Sequence, residues 1–218
     1  MSTFSGSPRV LKGGIVLVDP ATAAVRRVIV LQYNPDTLSR TLSVQSVGEG
    51  ADRSEAMRLT GPPVETFKLD AEIDAADQLE RPDEHPATRR HGVTPWLSAL
   101  EAIVYPTSAS LLTNDRLAAS GTLEILPAQA PLALFVWSKD RVVPVRVTDL
   151  SVTEEAFDPS LNPIRAKVSL GLRVLSVTDL GFDSRGGSLY MAYQQMKERM
   201  ASRQPPGPLG ALGISGIA

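Results

Sequence analysis

The chain has 218 residues, 22 basic and 24 acidic side chains, a net charge of -2 and no cysteine. That length suits one large domain, or one domain with appendages, and a 43% hydrophobic share argues against a wholly disordered chain. The balanced charge argues against a general nucleic-acid binder, and the lack of cysteine removes disulfides, thiolate metal sites and cysteine nucleophiles.

Residues 1–9 are small and polar and read as a flexible N-terminus, without the apolar stretch of a secretory signal. Ile15–Val18 and Val25–Tyr33 are dense in Val, Ile and Leu, and they predict a hairpin with Ala21–Ala24 in its connection. Asn34-Pro35-Asp36 stops the second strand, because proline removes a ladder donor. A third strand follows, with Leu38, Leu42, Val44 and Val47 opposed to Ser39, Thr41, Ser43 and Gln45.

Gly48–Pro63 is a loop longer than most connections in a compact domain. It is either a partner-contacting segment or a surface excursion. Its candidate contact residues between subunits or rings are Glu49, Gly50, Asp52, Arg53, Glu55 and Arg58.

Phe67–Asp74 alternates without a fault: Phe67, Leu69, Ala71 and Ile73 against Lys68, Asp70, Glu72 and Asp74. Period two with one charged face predicts a strand buried on one side only, as in antiparallel sheets. The acidic residues of that face are a solvated surface or the partners of basic neighbours more readily than a cation site. Ala75–Gly92, polar and proline-containing, reads as a loop. A helix is predicted from Thr94, with Thr94 as N-cap and Pro95 at the first helical position, ending at Tyr105-Pro106. It is the one helix expected in the first three-quarters of the chain, a lid on a sheet face.

Gly121–Leu126 reads as a strand, and the wholly apolar Leu132–Trp137 as a buried one. Ser138–Arg141 is a charged turn, Val142–Phe157 a partly alternating strand and Asp158–Pro163 a turn. Over Arg165–Val177, Ala166, Val168, Leu170, Leu172 and Val174 oppose Arg165, Lys167, Ser169 and Arg173. A helix over about Ser188–Arg203 follows Gly186-Gly187, with Leu189, Met196 and Met200 on a similar side and Tyr193 beside them. The tail from Gln204 is rich in Pro and Gly and reads as a flexible end or a segment that packs into a partner's groove.

A search for chemistry finds little. His85 and His91 are the only histidines, too far apart in sequence for a helical ligand pair. Neither a Gly-x-Ser-x-Gly elbow, a Walker loop nor a dinucleotide fingerprint is present. Glu154 and Glu155 are adjacent, so on a strand they point to opposite faces and do not work as an acid/base pair. Aromatic residues make up 5%, too few for a base-stacking platform, and Trp96 and Trp137 read as core. No enzyme activity, cofactor, metal, nucleic acid or membrane span is expected. The residues alone indicate a structural or interaction protein whose strand edges another chain completes.

Three stretches carry a resemblance: Leu31–Leu38 with its Tyr-Asn-Pro element, Phe67–Asp74, and Thr94–Glu101. Pro131–Trp137, Phe157-Asp158 and Asn162–Val168 extend it. Over roughly residues 10–178 the chain resembles the tube-like domain of contractile injection systems, which are phage-tail-like particles. The resemblance implies a mainly β fold, an antiparallel barrel or sandwich with one flanking helix and a C-terminal helix. It implies a tube-like domain over 10–180, followed by a helix and tail over 181–218. The implied role is a baseplate ring of six copies joining the spike to the inner tube, a tube initiator. Its partners are then other copies, the spike or hub protein, the inner-tube protein and other baseplate proteins, assembled in a bacterial cytoplasm into the particle. The LysM module that often follows this domain has no counterpart here. The alternative from the residues is a carbohydrate- or peptide-binding β-sandwich, monomeric and with aromatics in a cleft.

Overall fold

The computed structural model describes residues 10–46, 58–120 and 130–217. Their framework is one seven-stranded, wholly antiparallel sheet. The strands are β1 (Gly14–Val18), β2 (Val25–Val30), β3 (Leu38–Ser43), β4 (Val64–Asp74), β5 (Leu132–Ser138), β6 (Arg141–Phe157) and β7 (Pro163–Val174). Their spatial order is β2-β1-β5-β6-β7-β4-β3. Local hairpins build most of it: β1–β2, β3–β4 and the β5–β6–β7 meander. Two long-range ladders, β1–β5 and β4–β7, join the pieces.

The fold is mainly β and antiparallel, as expected, but the sheet is not closed into a barrel: β2 and β3 stand at its two ends and do not pair. Side-chain amides draw it round at one end. Gln32 donates from Nε2 to the Asp74 carbonyl (2.6 Å) and accepts at Oε1 from the Asp74 N–H (3.0 Å). Its carboxamide thus stands in for a neighbouring strand's peptide group. Asn34 does the same two residues on, accepting from Gly13 N–H (2.9 Å) and donating to the Leu11 carbonyl (2.8 Å).

The inner face is the core. Across the β4–β7 ladder Phe67 faces Leu172, Leu69 faces Leu170, Ala71 faces Val168 and Ile73 faces Ala166, all buried. These opposed apolar pairs fix the register, since a one-residue slip would turn every one of them to water. Phe135, Val143 and Val145 extend the same cluster, and Val93, Leu97 and Leu100 cover it. A smaller cluster of Val18, Leu132 and Leu134 lies on the other face of β1 and β5, against Leu180 and Leu189. β1 and β5 are therefore buried on both sides, which explains the unbroken apolar run of β5.

The helices depart most from expectation. Ala75–Gly92 is not a loop: it holds α1 (Ala76–Leu79) and α2 (Pro86–His91). Pro86 opens α2 instead of breaking it, because proline fits the first turn, where its missing N–H costs nothing. α3 runs over Thr94–Glu101 with Val93, not Thr94, at the N-cap, so Pro95 takes the second helical position. It is not the sole flanking helix, since α4 (Ser108–Ala119) follows, capped by the Thr107 side chain on Ser110 N–H. After β7 come α5 (Val177–Leu180), with a Ser176/Asp179 capping box, and α6 (Arg185–Ala201). Gly186 and Gly187 lie inside α6. A Cβ on Gly187 would sit 1.9 Å from the Gly181 carbonyl oxygen, so close helix-to-helix approach, not a chain break, accounts for them. The buried side chains of α6 are Tyr190 and Tyr193; of the expected stripe Leu189 and Met196 are half-buried against the core clusters and Met200 is exposed. Past it the tail is exposed over its described length, including a 3-10 turn at Leu209–Leu212. No helix among the described residues is long and apolar enough to cross a membrane. The expected strand at Gly121–Leu126 lies outside the described residues.

Gly92 joins α2 to α3 with φ +56°, and a Cβ there would lie 2.0 Å from the Pro163 carbonyl oxygen. Val93 N–H donates to that same oxygen (2.8 Å), so the corner is pinned to the first residue of β7. Gly92→Ala is expected to cost about 2–3 kcal/mol, read as a lower urea midpoint at unchanged slope.

Candidate functional site

Three features of the sheet bear on function: its edges, its outer face and one polar end of its core. The edges are β2 and β3. Among the described residues β2 pairs only with β1, and β3 only with β4, so each presents a row of peptide groups outward. Val25, Val28 and Val30 on β2 are exposed, as are Leu42 on β3 and Val44 just beyond it. The expected apolar face of the third strand exists, but most of it is not buried.

The outer face is divided. Over β4, β7 and β6 it is charged and internally paired. Arg165 binds Asp74 (2.8 Å) and approaches Glu72 (3.8 Å), Lys167 binds Glu155 (3.0 Å), and Ser169 donates to Asp70. The Ala76 N–H and Arg165 hold the Asp74 carboxyl below the usual range, although partial burial opposes them most. The acidic row of β4 thus meets basic residues of β7, and among the described residues no group of three or more His, Asp or Glu gathers to hold a metal ion. Over β2, β1 and β5 the outer face is apolar: Val28 and Val30 continue from Val16, Leu134 and Val136.

The polar end of the core is built on Glu65. It lies on the same face of β4 as Phe67 and Leu69, and it is 2% exposed. Tyr193 donates its hydroxyl to Glu65 Oε1 (2.7 Å), Lys197 Nζ reaches Oε2 (3.2 Å), and Arg40 Nη1 stands 3.8 Å from Oε1. Lys197 also lies over the Tyr193 ring, 4.3 Å from its centre. One buried carboxylate therefore ties β4 to edge strand β3 and to α6. Burial, and then the bond to Glu65, push the Tyr193 hydroxyl up to about 12. Sequence reasoning misses Glu65, although extending the period-two pattern of Phe67–Ile73 backwards puts it on the apolar face.

Of the residues expected to make contacts, Glu49, Gly50, Asp52, Arg53 and Glu55 lie outside the described residues. Arg58 is exposed, next to the isolated bridge between Ser46 and Leu59. That bridge and the Thr60 N–H bond to the Gln45 carbonyl (3.0 Å) fasten the base of the loop to the end of β3. His85 caps α2 and His91 ends it, and neither joins the features above.

No family model matches the chain, and no curated protein matches its sequence. Among solved structures it is similar to a chain in the tail of an empty gene transfer agent particle with C6 symmetry. The identity is 11%, the TM-score 0.30, and the match covers 75% of this chain and 90% of that one. A chain of the virion of a native gene transfer agent particle matches at 8% identity and TM-score 0.28, over 74% and 90%. At such TM-scores the likeness carries no argument about this chain.

Because the Tyr193 hydroxyl is raised from 10 to about 12, the folded state holds that proton more tightly than the unfolded chain does. Its contribution to stability is whole below pH 10 and is lost as pH rises through about 12. Tyr193→Phe is expected to flatten the fall of stability in that window, measured by denaturant titration across alkaline pH. Glu65→Ala removes the acceptor while leaving its partners in place. A loss of about 2–3 kcal/mol is expected, with faster amide exchange concentrated in α6.

Proposed function

We propose that the chain is a structural subunit of a phage-tail-like injection particle, a copy in a baseplate ring that joins the spike to the inner tube and starts tube growth. The observation that carries this reading is that, among the described residues, the edge strands β2 and β3 at opposite ends of one antiparallel sheet each lack an outer neighbour. A sheet with two different free edges joins copies head to tail, β2 of one against β3 of the next, and such a contact closes into a ring when its rotation divides the circle. The sequence resemblance over residues 10–178 supports a ring of six. The divided outer face suits it too: its apolar half is covered over β1 and β5 by Leu180 and Leu189 of this chain, the exposed Val28 and Val30 of β2 continue it toward a neighbour, and the paired charged half stays in water, lining a lumen or facing the layer around the tube.

In this reading α6, locked to the sheet through Glu65, and the loop over Gly48–Pro63 reach toward adjacent rings, the spike or hub, and other baseplate proteins. The base of the loop is fastened to the end of β3, the edge strand that this reading gives to the joint between copies. The subunit works by position and shape and carries out no reaction. It assembles in the bacterial cytoplasm before the particle forms.

The test is assembly of the chain with its spike and tube proteins, followed by mass photometry and electron microscopy. Val28→Lys places a charge on the outer face of edge strand β2. It is expected to leave the unfolding free energy within about 0.5 kcal/mol of wild type and to abolish rings. Deleting Glu49 to Arg58 leaves the Ser46–Leu59 bridge to close the hairpin, so the fold survives and particle assembly stops. Particles of normal number and length from either variant would refute the reading.

A further inference from the structure

The turn between β6 and β7 holds a strained, exposed apolar side chain on a rigid support. Leu161 has φ +64°, a left-handed conformation that costs a leucine energy, and it is 79% exposed. The turn does not relax because Asp158 ties it at several points. Its carboxylate accepts from Ser160 N–H (2.7 Å), Asn162 N–H (2.8 Å) and the Asn162 side chain (2.8 Å). Its backbone N–H donates to the Asn162 carbonyl (2.9 Å), and its carbonyl accepts from Leu161 N–H (2.9 Å). The Asn162 bonds keep the Asp158 carboxyl ionised below its usual range. Phe157, also exposed, stands beside the turn. Glycine or asparagine suits φ +64° better than leucine, so the side chain itself needs an explanation.

At the other end of the same hairpin lies an apolar groove of about 410 Å³, lined by Val104, Pro131, Val147, Leu175 and Leu180, with Arg146 among them. Arg146 sits directly across the ladder from Arg173. Arg173 is paired with Asp179 (2.9 Å), whereas among the described residues Arg146 has no ion-pair partner. From Val147 to Phe157 the strand spans roughly 33 Å at ~3.3 Å per residue. A chain therefore cannot place its own turn in its own groove.

We propose that this groove receives the β6–β7 turn of a second copy, with Leu161 seated among the apolar side chains and Asp158 brought toward Arg146. The two surfaces differ and lie at opposite ends of the subunit, so the contact is head to tail and adds copies along the hairpin axis. It uses neither β2 nor β3. It rests on the reading of the chain as a self-assembling subunit, but stacking along the hairpin is separable from closure of rings through the sheet edges.

The absence of native cysteine makes the test direct. Full-length Leu161→Cys and Val104→Cys chains are mixed under mild oxidation and run on a non-reducing gel. The mixed dimer is expected in several-fold excess over either homodimer, and Arg146→Glu in the Val104→Cys chain is expected to lower its yield several-fold. Leu161→Gly relieves the strain, so its unfolding midpoint is expected to stay level or rise while head-to-tail species disappear from sedimentation profiles. That pairing separates loss of contact from loss of fold. Rings without mixed dimer overturn the contact and spare the ring reading. Mixed dimer without rings supports the contact and counts against ring closure. Neither product at any concentration the protein tolerates overturns both.

Discussion

An antiparallel sheet that does not close leaves two strands whose outward peptide groups have no neighbour, and water or another chain must serve them. Most of what distinguishes this molecule follows from that constraint. The seven strands would need one more ladder, β2 to β3, to become a barrel. The inner face already curls enough to bury Phe67, Leu172 and Phe135 together with α3 and two tyrosines of α6, so the core is complete without that ladder. The edges stay available at small cost to the monomer.

The local parts of this fold are written plainly in the sequence. β4 and β7 alternate apolar and charged residues because one face is core and the other is water. The β1–β2 turn is set by Asp19, whose carboxylate accepts from Ala21 and Thr22 N–H and pairs with Arg26. The joins are not legible. Nothing in Leu132–Ser138 says that it lies beside Gly14–Val18, because a strand buried on both faces has no alternation to orient it. The helices at residues 76–91 hide behind prolines and charges that read as loop, although Pro86 begins a helix. α6 reads as shorter at its start than it is, because Gly186-Gly187 looks like a break unless the close approach of α5 is known. Glu65 is concealed by its charge, since a carboxylate on the apolar face makes sense only once Tyr193, Lys197 and Arg40, distant in sequence, converge on it.

The stretches that carry the family resemblance also have a physical meaning. Gln32 and Asn34 flank Tyr33 and act through their carboxamides as detached peptide groups, holding residues 11–13 and Asp74 in place. Asp158 and Asn162 lock the β6–β7 turn. Trp96, Leu97 and Leu100 put α3 against the core. All of these residues fix corners that the ladders cannot reach. A pattern of this kind speaks for a shape more than for a chemistry.

The contrast between fastened and bare backbone within one chain bears on whether the edges are meant to be used. Past the end of β2, at Gln32 and Asn34, peptide groups that would otherwise go unpaired are met by side chains reaching from nearby. Along β2 no such side chain is supplied among the described residues, and Val25, Val28 and Val30 are exposed there, beside Arg26, which pairs with Asp19, and the exposed Arg27. β3 carries one basic residue, Arg40, and its guanidinium is turned inward to Glu65 instead of outward as a guard. The polar end of the core then gains a second role. By tying β3 to α6 through Glu65, it holds one of those edges in place against the rest of the fold.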